Sequence, residues 1–462
     1  MAKNMIEYIC RNCDTRVAKW AGQCPSCKEW NTLEETTKLP KMNANNNKMV
    51  GRPSGNTTKN ARKLKDIELI ETNRFKTGLS ELDRVFGGGI VVDSVSIISA
   101  PPGAGKSTLC LQVANSYIEQ GYVAMYCSGE ESATQIKGRA ERLQLSHRND
   151  IIVLDSSCMN DVLREVEDKQ PDFIVIDSIQ TYSLNEFLPA RAGNPIQVME
   201  CATAMVNVAK YRKKPCAIIM IGQMTKNDEL ASVRSLEHLV DANFKLEGDR
   251  DDTLRMLMSE KNRFGSTEET GFFNMTSKGL EMIENPSEYF MVERENAVSG
   301  TALTVLREGS RPLIVEIDAL TSRSFSQYPM RIGETLKKDR MNILISILEQ
   351  KAQVPMFDTN VVVSAAGGIK LTDPSCSLAI LMAIMSSKNA KPIDDKVAFL
   401  ADVTLTGELR KLPDAERCIK ELNRMGFKTV YVSYSQKIDT KGLDVKVKKF
   451  HTISEIIKDV FK

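Results

Sequence analysis

The chain has no long apolar run. Nowhere do its 462 residues approach the roughly 18 consecutive apolar side chains that a membrane-crossing helix needs, and the first residues lack the apolar core of a secretory signal. Both absences lead to the expectation of a cytoplasmic protein with no membrane contact. Charge of one sign is equally lacking. The formal net charge is +2, which excludes an overall basic or acidic molecule and leaves only local fields. Residues 38–65 hold six Lys and two Arg with neither Asp nor Glu, residues 1–37 balance five basic against five acidic groups, and residues 66–462 are left with −6. Tryptophan is all but missing, with only Trp20 and Trp30. Of eleven cysteines, four cluster at Cys10, Cys13, Cys24 and Cys27. The other seven are scattered singly through apolar segments, where they read as reduced, buried small hydrophobes.

A chain of 462 residues exceeds the size at which one core keeps growing, so two or three domains are expected. The first is the cysteine cluster. Two Cys-x₂-Cys turns, ten residues apart, offer four thiolates that complete the tetrahedron Zn²⁺ accepts. A segment this short has little core of its own, and a closed metal site supplies folding energy. Zinc on Cys10, Cys13, Cys24 and Cys27 is the expectation, against a redox pair or two disulfides, with Trp20 and Trp30 packing around the site. Residues 38–65, with NANNNK and GRPSGNTTKN, form an expected flexible linker. Its eight positive charges serve either as a solvated tether or as a non-specific phosphate contact.

From about residue 66 strands and helices alternate, the pattern of a parallel sheet whose ligands sit beyond the carboxyl ends of its strands. In VSIISAPPGAGKSTLC, residues 95–110, a β-branched run stops at a Pro/Gly-rich turn and a helix follows. Successive backbone N–H groups of such a turn surround phosphate oxygens where side chains are absent. Ala100, Pro101, Pro102, Gly103, Ala104, Gly105, Lys106, Ser107 and Thr108 make up this cradle for ATP. Lys106 reaches the β/γ-phosphates, Ser107 turns its hydroxyl to Mg²⁺, and the helix aims its positive end at the anion. Ala100 stands where the motif has its first glycine, so this position tolerates a Cβ. Three further apolar runs end in polar residues. YVAMYCSGEES ends in Glu130 and Glu131, one of which polarises the attacking water unless both merely favour a helix start. PDFIVIDS ends in Asp177, a second Mg²⁺-side carboxylate. PCAIIMIGQ ends in Gln223, a γ-phosphate sensor or an ordinary loop amide. Residues 137–147 are expected to be helical.

APPGAGKST, SGEES, FIVIDS and, most specifically, KNRFG at 261–265, behind a four-Cys knuckle, resemble the bacterial RadA/Sms recombination proteins over essentially the whole chain. The resemblance implies a RecA-like ATPase assembled as a hexameric ring that moves on single-stranded DNA and drives branch migration. Single-stranded and branched DNA and a RecA-type recombinase are the implied partners. It implies further that the hydrolytic glutamate lies in the Glu130/Glu131 pair, that Asp177 is the second acidic motif, and that Lys261 and Arg263 contact DNA or a neighbour's nucleotide. A fixed Lys/Arg pair neutralises developing phosphate charge, Arg263 gripping two oxygens and Lys261 acting as a point charge. Read without the resemblance, the loop is a solvated basic turn. Residues 182–198 and 224–236 follow strand ends as DNA-binding loops do in RecA-like folds. They offer Arg191, Lys226 and Arg234 to phosphates and Tyr182 or Phe187 to bases.

Past the apolar strand FFNM and a polar hinge near 284–288, a second α/β pattern resembles the Lon-protease-type domain that RadA proteins carry. Lon-type hydrolysis uses a Ser–Lys dyad with a buried amine of lowered pKa. Ser375 takes the serine's place, the lysine's position falls on Glu416, and Lys370 reads as a surface lysine. The expected fold is α/β throughout. It comprises a four-Cys zinc ribbon at 1–37, the linker at 38–65, a RecA-like ATPase with a mainly parallel sheet at 66–285, and a Lon-protease-like α/β domain at 286–462. That last domain is expected to be a structural and DNA-binding platform. The leading function is a DNA-stimulated ATP hydrolase acting in recombinational DNA repair. The alternatives are an ATP-dependent Ser peptidase of Lon type and a RecA-like signalling ATPase.

Overall fold

The computed structural model describes residues 6–10, 16–17, 20–23, 25, 27–30, 33–37, 73–212, 214–223, 236–248, 253–292 and 294–462. Among these no helix is long and apolar enough to cross a membrane. The chain divides into two compact units between residues 60 and 61. In the first, β1 (Ile6–Cys10) lies between β2 (Arg16–Val17) and β3 (Leu33–Thr37) in an antiparallel sheet. Cys10 ends β1, opposite Leu33 of β3. Cys13, Cys24 and the whole of 38–65 lie outside the described residues. Trp20 and Trp30, expected to pack around the cysteine site, are 59% and 67% exposed. Strands of two to five residues in a single layer provide little surface against which to bury an indole.

The second unit begins with β4 (Arg74–Phe75), α1 (Ser80–Val85) and β5 (Ile90–Val91). There follow β6 (Val95–Ala100), α2 (Lys106–Glu119), β7 (Ala124–Ser128), α3 (Ala133–Arg142), β8 (Ile152–Asp155), α4 (Met159–Lys169) and β9 (Phe173–Asp177). Next come α5 (Pro195–Tyr211), β10 (Ala217–Gln223), β11 (Ala242–Glu247), β12 (Leu254–Asn262), β13 (Thr270–Thr276) and β14 (Gly279–Met282). They build a nine-stranded sheet in the order β14-β13-β12-β11-β6-β10-β9-β7-β8. The run from β11 to β8 is parallel and β12 to β14 extend it antiparallel. Every residue of β6 is buried because helices cover both faces. Ile98 packs with Leu109, Cys110 and Val113 of α2, whereas Val95 and Ile97 pack with Val198, Cys201 and Met205 of α5. Burying each large aliphatic side chain stabilises the fold by about 1.5–3 kcal/mol, so a one-residue slip that reversed the faces is strongly disfavoured. This register sets Gln223 beside Ala100 and Ser128 beside Asp177 at one edge.

Helix α3 runs over 133–142, earlier than the 137–147 expected, because Ser132 and Gln135 form a reciprocal capping box. Its end is set at Gln144, whose φ of 54° is left-handed.

The remaining elements are α6 (Pro286–Tyr289), β15 (Thr301–Glu308), β16 (Arg311–Arg323), β17 (Arg331–Gly333), α7 (Lys338–Lys351), β18 (Thr359–Ala365) and α8 (Ser377–Asn389). They continue with β19 (Val397–Leu400), β20 (Asp402–Val403), β21 (Leu409–Arg410), α9 (Ala415–Arg424), β22 (Thr429–Ser433), β23 (Lys446–Phe450) and α10 (Ile453–Val460). A seven-stranded mixed sheet, β17-β18-β16-β15-β19-β22-β23, packs on α8, which is buried at every position from Ser377 to Ser386. Residues 284–288 are not the hinge expected. Pro286 and Ser287 are buried, the Ile314 N–H donates to Ser287 Oγ (3.2 Å), and Leu254 and Phe272 of the first sheet share one core with Phe290, Val315 and Ile317. An ion pair between Arg311 and Glu81 (2.5 Å) adds to this seam.

Candidate active site

The phosphate loop follows from the end of β6. Ala100 lies within the strand, fully buried, so its methyl needs none of the conformational freedom that glycine has. Gly103 and Gly105 do need it, at φ 85° and 103°, and a Cβ on Gly105 would stand 2.3 Å from Met275 Cε. Helix α2 starts at Lys106 with no acidic residue in its first turn, so its positive end keeps its full attraction for an anion. Lys106 is buried at 8% exposure, and its ammonium donates to the carbonyls of Ala100 (2.8 Å) and Pro101 (3.0 Å). Burial holds its pKa below the usual lysine value, opposed by the charges of Asp177 and Glu130. Behind the loop, Arg255 Nε donates to the Ala104 carbonyl (3.1 Å).

The two glutamates part at the tip of β7. Ser128 Oγ accepts the N–H groups of both Glu130 (3.3 Å) and Glu131 (2.9 Å), fixing a turn that sends their side chains to different partners. Glu130 Oε1 accepts Ser178 Oγ–H (2.5 Å) and Gln223 Nε2–H (2.6 Å), which brings it to the ends of β9 and β10. Glu131 is ion-paired with Arg139 of α3. Asp177 is buried and its Oδ2 accepts the phenol O–H of Tyr126 (2.5 Å). The structure thus gathers Lys106, Glu130, Asp177 and Gln223, and turns Glu131 aside. The serine hydroxyl and the aspartate are hard oxygen donors, a set that fits Mg²⁺.

Lys261 and Arg263 are elsewhere. The Lys261 ammonium donates to the carbonyls of Glu237 and Val240 (2.8 Å to the latter), and burial, then the charge of Arg263, lowers its pKa. Arg263 pairs with Asp241 (3.2 Å), which also accepts the Val95 N–H (3.0 Å) and pairs with Lys210 (2.9 Å). Val95 begins β6 and Ala100 ends it, so the loop sits about 16 Å along the strand from its own phosphate cradle. It is firmly built. Arg74 donates to the Phe264 carbonyl (2.7 Å), and a Cβ on Gly265 would come within 2.7 Å of Gly87 Cα. Of the expected DNA-facing residues, Tyr182 is fully buried in the core under α5 and offers no face to a base. Phe187 is half-buried against that core and Arg191 is exposed. Lys226 and Arg234 lie outside the described residues.

A family model for a rubredoxin metal binding domain matches residues 8–35, and the KaiC ATPase model matches residues 75–149. The chain is 38% identical to DNA repair protein RadA of Haemophilus influenzae over 93% of either chain. It is 36% identical to that of Listeria monocytogenes over 99% of this chain and 98% of the relative, and 37% identical to that of Bacillus subtilis over 94% and 93%. The chain belongs to the RadA family of DNA repair proteins. The RadB recombinase structure aligns with 45% of it and 99% of its own length, at 21% identity and a TM-score of 0.37. As a RadA-family protein it combines a zinc ribbon with a RecA-like ATPase fold built on a mainly parallel sheet. Cys10 and Cys27 bracket the ribbon's thiol set, whose chemistry fits Zn²⁺.

In this RadA-family chain the Lon-like serine is not set up as a nucleophile. Ser375 is buried and its hydroxyl donates to the Val305 carbonyl (3.1 Å). It borders a cavity of about 240 Å³ with Glu268, Arg307, Asp373 and Cys418, and among the described residues no lysine lines it. Glu416 is not the residue facing Ser375. It is exposed and paired with Lys420 (2.9 Å), and α9 turns Ala415 and Cys418 to the cavity instead. Burial pushes the Cys418 thiol up to about 11. Lys370 is exposed, as expected.

Three contacts of the site were not foreseen from sequence. Ser178 follows Asp177 directly, and a polar residue after a motif carboxylate is a usable sign. Arg255 is a lone charge inside the apolar strand LRMLM, which is a weaker one. For Tyr126 the signal is only its period-2 spacing from Ser128.

Proposed function

We propose that this RadA-family ATPase is a DNA-stimulated motor, a homo-hexameric ring acting on single-stranded and branched DNA to promote branch migration during recombinational repair. The observation that carries the reading is the separation along β6. Lys106, Glu130, Asp177 and Gln223 gather at one end, while Lys261 and Arg263 lie at the other, bonded to the Val240 carbonyl and to Asp241 and away from their own chain's nucleotide site. Repetition around a ring brings one chain's basic loop to the next chain's nucleotide or to DNA in the centre.

Within one site the roles follow from geometry. Backbone N–H groups of 103–107 and Lys106 hold the phosphates, Lys106 exchanging two carbonyl partners for phosphate oxygens. Glu130 takes the proton of the attacking water. Gln223 and Ser178 hold Glu130 in place, and Gln223 leads directly into residues 224–236, which links the γ-phosphate position to a loop proposed to meet DNA. Ser107 and Asp177 would hold Mg²⁺, which would supply charge neutralisation for the transferred phosphoryl group. The ribbon takes Zn²⁺ as a folding centre. Residues 66–285 act as the motor and 286–462 as a platform without peptidase chemistry.

The test is an ATPase assay with single-stranded and branched DNA in which inactive Lys106→Ala and Arg263→Ala chains are mixed. Chains that complete one another across a subunit boundary restore part of the DNA-stimulated turnover. The reading fails if wild-type turnover is indifferent to DNA or if mixing restores nothing.

A further inference from the structure

Tyr126 is fully buried at the middle of β7, in the apolar layer between the sheet and α2. Parallel pairing sets Ser128 beside Asp177 and Tyr126 beside Val175, so Tyr126 shares a sheet face with Asp177 and lies two residues short of it. A shorter side chain at this position cannot bridge that gap. The phenol does, with its O–H 2.5 Å from Asp177 Oδ2. The buried phenol oxygen is therefore tied to one of the two groups read above as the cation's protein donors, the carboxylate at the tip of β9. A polar atom in such a layer is costly unless its partner is fixed, and here that partner is Asp177.

We propose that Tyr126 is a positioning residue for the divalent cation, setting the carboxylate of Asp177 in the orientation that a metal–nucleotide complex needs. By donating to Oδ2 the phenol stops the carboxylate from rotating. Partners of this kind, which touch the ligands and not the ion, change metal affinity by about 10–100-fold when removed. The inference rests on the reading of Ser107 and Asp177 as the Mg²⁺ side of the nucleotide site.

The experiment uses the full chain with Mn²⁺ as the probe, titrated by electron paramagnetic resonance in the presence of ADP, alongside the affinity for ADP in chelator without metal. Tyr126→Phe, which deletes one oxygen and keeps the ring, is expected to weaken Mn²⁺ binding about 10-fold and leave metal-free ADP binding unchanged. Combined with Asp177→Asn its loss should be less than additive, since both act on one carboxylate. Tyr126→Leu serves as the packing control. The inference is overturned if Tyr126→Phe binds Mn²⁺ within about 2-fold of wild type, or if Phe and Leu weaken metal-free ADP binding as much as Mn²⁺ binding. A wild-type chain that binds ADP but shows no ADP-dependent Mn²⁺ site would instead overturn the reading of the site itself.

Discussion

Replacing either glutamate of the SGEES turn by glutamine removes one negative charge, yet the two substitutions should differ by orders of magnitude. Glu130 Oε1 accepts from Ser178 (2.5 Å) and Gln223 (2.6 Å), and the charge of Glu130 raises the pKa of the buried Lys106. Glu131 faces α3 and is paired with Arg139, both partners partly exposed. As the general base, Glu130 contributes about 10²–10⁴-fold to turnover, so Glu130→Gln should lower kcat by that factor. Glutamine still accepts one hydrogen bond through its carbonyl, so the turn should survive and nucleotide binding should stay close to wild type. Glu131→Gln loses an ion pair of this exposure, worth up to about 1 kcal/mol of stability, and should leave kcat within about 3-fold. Steady-state ATPase rates with a nucleotide-affinity measurement on each variant decide the matter. A Glu131→Gln chain that loses turnover beside a Glu130→Gln chain that keeps it would refute the assignment, because no rearrangement smaller than inverting the turn held by Ser128 exchanges the two side chains.

Arg311→Met should destabilise the larger unit by about 3 kcal/mol in urea unfolding, since it leaves Glu81, which is 2% exposed, with the Phe272 N–H (3.0 Å) and only a loose pairing to Arg84 (3.9 Å). A loss below about 1 kcal/mol would show that the seam between the sheets does not depend on this pair. Burial, and then Glu316 beside it, raises Asp318 from its ordinary 3.8 to about 6. The folded state thus binds more protons than the unfolded one between these values, and stability falls as pH rises through that window and stays lowered above it. Asp318→Asn should therefore melt higher than wild type at pH 8, with a smaller gain at pH 5; an equal gain at both would refute the cause. Purified protein should release about one Zn²⁺ per chain to a strong chelator, and Cys27→Ser should reduce that content. Wild-type protein without zinc would remove the ribbon's metal.

Much of the site was legible because its chemistry is local in the chain. Gly103, Gly105, Lys106 and Ser107 sit within one turn, and Glu130, Asp177 and Gln223 each close an apolar run whose burial on both faces marks a central strand. What the sequence left open is direction. Glu130 and Glu131 are adjacent, and only the Ser128 turn distinguishes them. Glu416 and Cys418 differ by two residues on α9, a rotation of about 200° that exchanges solvent for the Ser375 cavity. Tyr182 stands just beyond a polar strand end, where loops usually surface, yet it turns into the core under α5.

Long-range pairing hid the rest. Lys261 is remote from the phosphate loop because β12 is antiparallel to β11, which is parallel to β6, so residues at the end of β12 return to where β6 begins. Arg255, at the other end of β12, supports the Ala104 carbonyl. One nine-residue strand therefore spans from the back of a chain's own phosphate cradle to the basic loop that the ring model gives to a neighbour. It pairs antiparallel with β13 over Leu254–Met258 and with β11 over Met256–Asn262, with a bulge at Glu260 just before Lys261. A displacement of the phosphate loop has in β12 a direct mechanical route to Lys261 and Arg263, so the element that separates the two ends of the site is also the one through which a ring would have to couple them.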